Sequence, residues 1–284
     1  MTFFLHPGME VAEAAVSRGS GQDGELLERQ PTLREQLSAL TPQQMETRLQ
    51  SAFAVTPRRP APGEETVMGF KKRRKEELLD ALCQAYASAD APPRVYRCLA
   101  GAPLQSELLE PLLEQLRLVD WSQNTRPGVQ SSGYITLKQP PPLKPPRNPA
   151  FPAPVWPAND PRLVSRRVWD AAAAVLASVP EASQFEYTCL ALSKNFVSSP
   201  HTDRNDLSVQ YLLSLGDFEN GGELCIEEDP FLVSAITTRE RLAKCDGRFP
   251  HWVSRYEGER YSVVYFRSMG SLDPPTRAVH LPLS

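Results

Sequence analysis

Histidine is scarce in this 284-residue chain, with four residues, His6, His201, His251 and His280. His201 stands in the run NFVSSPHTDRND, which starts at Asn195 and reads as the end of one strand, a short loop and the approach to another. In extended backbone, residues two apart face the same side. The His201-Thr202-Asp203 triplet therefore aims an imidazole and a carboxylate at one point. Those are two of the three ligands of the facial set of two histidines and one carboxylate that holds non-haem Fe(II) and leaves coordination positions open. A loop histidine beside turn-forming Asp203 and Asp206 would look the same, so the distant residues decide.

A third ligand must come from His251 or His280, since His6 lies in the polar start of the chain. His251, in DGRFPHWV, is far enough downstream to return on a facing strand, and Arg260 and Ser262 follow in ERYSVVYF. An oxygenase drawing electrons from a 2-oxo acid needs a cation for the acid's far carboxylate. Arginine suits that task because its planar fork binds carboxylate bidentately. A hydroxyl two residues on faces the same way. His280 has no arginine after it and fits worse. The competing readings are structural: His251 packing beside Trp252, and Arg260 paired with a nearby glutamate. Cys225 and Cys245 are read as buried apolar residues, because thiolate ligands would favour zinc or copper. Asp203 to Asp206 lacks the remaining ligands of a calcium loop, and Gly221-Gly222 serves a turn.

The elements that must position these residues follow from patterning. Hydrophobic content of 41% and charged content of 23% are globular values, and a net charge of −3 gives no global basic signature. Five scattered cysteines without a C-x-x-C pair point to reduced thiols, and no run approaches a membrane span or a signal peptide. The expectation is an intracellular protein, nuclear or cytoplasmic. Residues 1–30 are polar and expected to be disordered. Residues 31–100 read as a helical N-terminal region, with Thr41-Pro42-Gln43-Gln44 as a helix start and five consecutive basic residues, Lys71 to Lys75, opening a second helix. That region resembles a SAP-like DNA-binding module. A localisation cluster or a solvated helix entry has the same composition.

Residues 101–284 carry an amphipathic helix over 103–120, a strand near Gly133–Leu137 and ten prolines from Pro140 to Pro161. The prolines predict an extended segment over 140–161 that stays out of a central sheet. Asp160-Pro161 then opens a helix, and the strand runs FEYTCLAL, LSVQYLLSL, GELCIEE and RYSVVYF follow. Short strands in succession predict an α+β fold: a double-stranded β-helix (jelly roll) core with flanking helices and a small helical N-terminal region.

Together, N-x5-H-x-D, L-x-L-G-D-F-x-x-G-G-E-L and H-x8-R-x-S resemble the Fe(II)/2-oxoglutarate dioxygenase superfamily, over Gly128 to Arg267. Within it, PHTDRND, GGELCIEED and KCDGRFPHWV are similar to the TET/JBP-type branch, including algal members that modify 5-methylcytosine. The resemblance implies that His201, Asp203 and His251 bind Fe(II), that Arg260 with Ser262 holds 2-oxoglutarate, and that Asn195 lies at the same pocket. O2 would be the other cosubstrate, with ascorbate as a further candidate reductant. It implies a methylated base in DNA as substrate, flipped out of the duplex. No basic run flanks the motif; Arg162, Arg166, Arg167, Arg204 and Arg255 are scattered candidates for the backbone. The alternatives are a prolyl, other protein or small-molecule hydroxylase on the same scaffold, and a non-catalytic jelly-roll binding module. Oligomeric state is not legible from the sequence.

Overall fold

Capping residues set the N-terminal helices of the computed structural model, which describes residues 22–66, 68–122, 131–141, 157, 159–196 and 200–283. After α1 (Gln22–Glu28), both α2 (Leu33–Leu37) and α3 (Pro42–Phe53) open with reciprocal capping boxes, Thr32 with Glu35 and Thr41 with Gln44. With α4 (Phe70–Tyr86) they enclose a small core of Leu37, Leu40, Met45, Leu49, Leu78, Leu79 and Leu82.

The rest of the chain is strand-rich. β1 (Val95–Ala100), β2 (Ala102–Pro103) and α5 (Ser106–Leu118) lead to β3 (Gly133–Lys138) and α6 (Pro161–Ala177). β4 (Cys189–Lys194), β5 (Gln210–Leu215), β6 (Phe218–Glu219), β7 (Leu224–Asp229) and β8 (Leu232–Thr237) follow, then β9 (Arg241–Cys245), β10 (His251–Val253), β11 (Glu257–Gly258) and β12 (Tyr261–Phe266). One sheet runs β2-β9-β5-β12-β4-β3 with every neighbour antiparallel. The facing sheet runs β1-β8-β7-β10, parallel only between β1 and β8. This is the expected α+β fold with a jelly-roll core.

Strand parity sorts the side chains. Leu190, Leu192, Leu213, Leu215, Val263 and Tyr265 face α5 and α6, packing with Leu112, Leu116, Val168 and Val175. Leu212 on β5 points the other way, joining Leu224, Ile226, Ile236 and Ala243 between the sheets. Both faces of the long sheet are covered, and all six residues of β5 are buried. On the cavity side of β12 the same parity sets Arg260, Ser262, Val264 and Phe266 in one row.

The N-terminal helices are not set apart from this core. Leu26 packs with Cys225, Val233, Ala235 and Trp252, and buried Gln30 accepts the Trp252 indole N–H at 2.6 Å. Residues 22–30 are thus ordered, against the disorder expected over 1–30, because a buried indole N–H and an apolar face require covering; residues 1–21 lie outside the described set. Glu227, 3% exposed, is gripped by Arg48 and Arg94. Strand β1, before the boundary expected at residue 100, is an edge of the sheet that carries β7 and β10. Most of the proline segment, 142–156 and 158, is outside the described residues; Arg166 binds the carbonyls of Pro140 and Pro141 ahead of it. No described helix is long and apolar enough to cross a membrane.

Candidate active site

Backbone pairing brings the two histidines together. His201 donates its N–H to the His251 carbonyl at 3.0 Å, and His251 returns the bond at 2.9 Å, an isolated antiparallel bridge at the mouth of the jelly roll. Their rings lie 4.2 Å apart, centre to centre. Asp203 is held over them by its own N–H, donated to the Gly247 carbonyl at 2.8 Å. Its two carboxylate oxygens then lie 3.7 Å from His201 Nε2 and 3.5 Å from His251 Nε2.

One ligand atom from each of the three residues falls within 4.8 Å of the other two. That spacing suits a single ion with bonds near 2 Å. His251 is further prepared. Its Nδ1 lies 2.9 Å from the Phe249 carbonyl, so the Nδ1–H tautomer is favoured and the Nε2 lone pair faces Asp203. Burial pulls this imidazole's pKa down, but Asp203 and the Phe249 carbonyl outweigh it and the net shift is upward. Such a proton site is one that a cation can replace. His280 is elsewhere, with Nε2 3.1 Å from the Arg277 carbonyl and its pKa lowered by burial and by Arg277 and Lys244. His251 is therefore the third member. None of the five cysteines is in a disulfide, and burial pushes the thiols of Cys225 and Cys245 up, which makes them poor ligands.

The triad opens on a cavity of about 540 Å³ that also contains Arg260 and Ser262. Arg260 is 1% exposed and has no ion-pair partner among the described residues. Its guanidinium donates to Ser262 Oγ and, at 3.5 Å, to Thr238 Oγ1, while its Nε is buried without a partner. Phe218 and Tyr256 flank it, with ring centres 5.4 Å and 5.6 Å away. Burial lowers its pKa to about 10, with Tyr256 and Glu223 opposing the shift. A buried cation without a counter-ion is costly unless a ligand supplies the anion. The arrangement fits a carboxylate ligand, and no glutamate among the described residues forms an ion pair with Arg260.

Asn195 lies beside the cavity, behind Arg260. It is not among the residues lining the cavity; its side-chain oxygen accepts the Arg260 backbone N–H at 2.9 Å. Asp206, whose sequence context also suits a turn former, lines the cavity. It is 6% exposed, its Oδ2 has no hydrogen-bond partner among the described residues, and burial with the neighbouring Asp203 charge raises its pKa to about 7. Only its position three residues after Asp203 hinted at this. The cavity wall also includes Tyr134, Phe196 and Phe266.

Of the scattered arginines, Arg162 bonds to Asp160 and Arg166 to the proline carbonyls. In the basic run, Arg74 is 9% exposed and pairs with Glu46, and Lys75 donates to the Ser38 carbonyl.

No protein-family model and no curated protein sequence matches the chain. Among solved structures it is similar to a 2OG-Fe(II) oxygenase family oxidoreductase from Burkholderia pseudomallei, at 16% identity over 36% of this chain and 56% of that one, TM-score 0.29. It is similar to a prolyl hydroxylase from Trichoplax adhaerens bound to a hypoxia-inducible-factor peptide, at 12% identity over 57% and 77%, TM-score 0.34. It is also similar to NgTET1 in complex with 5mC DNA, at 21% identity over 39% and 46%, TM-score 0.27. The chain thus spans about half the length of the first and third of these. The functional argument rests on the site's own geometry.

Proposed function

We propose that this protein is an Fe(II)- and 2-oxoglutarate-dependent dioxygenase that hydroxylates a C–H bond, with a methylated nucleobase in DNA as its substrate. The observation that carries the cosubstrate is Arg260, a buried guanidinium without an ion-pair partner among the described residues, in the same cavity as a His-Asp-His cluster. His201, Asp203 and His251 would hold Fe(II), which when bound supplies the oxidising chemistry between O2, the 2-oxo acid and a C–H bond. Arg260 and Ser262 take the acid's far carboxylate and fix its orientation, which lowers the entropic part of the barrier. Asp203 keeps two anionic oxygens toward the histidines, and the Phe249 carbonyl keeps His251 in the ligating tautomer. The sheet walls limit water around the reacting groups.

Two features support the nucleobase. Tyr134, Phe196 and Phe266 give the cavity wall an aromatic composition that suits a planar group. The unpaired, buried Asp206 oxygen offers an acceptor to a substrate donor such as an exocyclic amine. The test is a product assay on 5-methylcytosine DNA in parallel with a proline-containing peptide panel, each with Fe(II), 2-oxoglutarate and O2. Oxidised methylcytosine is the expected product; peptide hydroxylation with inert DNA would transfer the same machinery to a protein hydroxylase.

A further inference from the structure

The antiparallel register of β4 and β12 pairs Lys194 with Tyr261, so the next rung would join Asn195 to Arg260. Half of that rung is ordinary backbone, since Asn195 donates its N–H to the Arg260 carbonyl at 2.7 Å. The other half is not. Asn195 has φ of 49°, a left-handed conformation that turns its own carbonyl out of the ladder and the chain toward Phe196. Its side-chain Oδ1 takes over, accepting the Arg260 N–H at 2.9 Å. Both backbone polar groups of Arg260 are thus held by one residue just where β12 begins. Aspartate and asparagine tolerate this conformation and carry an acceptor of the right length; glycine tolerates it without the acceptor.

We propose that Asn195 is the positioning residue that fixes the reach of Arg260 into the cavity and thereby tunes selection of a 2-oxo acid with a second carboxylate. The proposal rests on the reading of Arg260 as the clamp for that carboxylate. Arg260 has no ion pair among the described residues to steady it; hydrogen bonds to Ser262 and Thr238 and two ring faces guide its fork. Its direction therefore depends strongly on where its backbone is pinned.

The experiment uses the full chain loaded with Fe(II) without oxygen, titrated with 2-oxoglutarate and, separately, with 2-oxobutyrate, which lacks the far carboxylate. Dissociation constants are read by calorimetry for wild type, Asn195→Gly and Arg260→Ala. Asn195→Gly keeps the left-handed backbone and removes only the acceptor. Its 2-oxoglutarate binding should weaken about three- to tenfold, the effect of one hydrogen bond, with 2-oxobutyrate unchanged. Equal weakening of both acids would overturn the proposal, because the residue would then act through the general fold or the metal. So would unchanged binding of both in Asn195→Gly while Arg260→Ala loses 2-oxoglutarate; the clamp would then stand without Asn195. If Arg260→Ala binds 2-oxoglutarate as wild type does, the clamp itself is wrong and the proposal falls with it.

Discussion

His201 and His251 are backbone partners, each donating its N–H to the other's carbonyl at 3.0 Å and 2.9 Å. One residue sits in the loop before β5 and the other starts β10, so the candidate metal centre closes the mouth between the two sheets. A cross-strand pair holds two imidazoles at nearly fixed separation, and the carboxylate has only to be brought over them.

On the proposed reading, that geometry gives Asp203 the role of a ligand rather than of a structural acid. Asp203→Ala should abolish turnover and weaken Fe(II) binding beyond the roughly 10–100-fold that loss of an outer-sphere partner costs, with the fold kept. Anaerobic metal titration alongside circular dichroism checks this. Retained turnover would remove Asp203 from the ligand set.

Gly247 tests the same carboxylate by crowding. A Cβ there would lie 2.5 Å from Gln210 Nε2 and 3.1 Å from Asp203 Oδ2. Gln210 is only 4% exposed and cannot swing freely away. Gly247→Ala is expected to displace the Asp203 carboxylate and lower Fe(II) affinity, and the overpacking against Gln210 should also lower the melting temperature. Metal titration and thermal melts of the metal-free protein separate the two effects.

Arg260 carries an expected conflict between stability and function. Its guanidinium is buried without an anionic partner among the described residues, a cost that a hydrophobic side chain of similar length would relieve. Arg260→Met should stabilise the ligand-free protein by about 1 kcal/mol, at the low end for replacing buried charge because Ser262, Thr238 and two rings already attend it. The same change should remove 2-oxoglutarate binding. Denaturant melts and the visible band of the iron-chelated acid report the two outcomes.

Glu227 tests whether the N-terminal helices belong to the core. Glu227→Ala leaves Arg48 and Arg94, both about nine-tenths buried, without their carboxylate. The expected loss is about 3–5 kcal/mol, as for other broken buried pairs. A loss within experimental error in urea melts would mean that the helices pack on the sheet without contributing to its stability.

The basic run separates retention of DNA from chemistry. Arg74 and Lys75 are engaged inside the fold, which leaves Lys71, Lys72 and Arg73 as the residues to neutralise. Changing these three to glutamine should shorten retention on DNA and flatten its salt dependence, while oxidation of a free methylated nucleoside is unchanged. Unaltered retention would exclude the run from the DNA contact.

The sequence by itself determined much of this protein. His201-x-Asp203 and the parity that sets Arg260 and Ser262 on one face are local: two residues apart in extended backbone must point together. The capping boxes at Thr41 and the Asp160-Pro161 helix start are local for the same reason. Tertiary structure decided what depends on distant neighbours. The arginine that follows His251 already favours it over His280 in the sequence, but the cross-strand pairing that brings His251 against His201 belongs to the fold. Only the packed cavity could show that Arg260 has no ion pair among the described residues, that Asp206 is buried, and that Asn195 holds the Arg260 backbone. Burial and partner lists are properties of surfaces that meet from far apart in the chain. The docking of α1 and β1 onto the sheet that carries His251 was hidden similarly, because a polar-looking start gives no sign of the one leucine and one glutamine that cover Trp252.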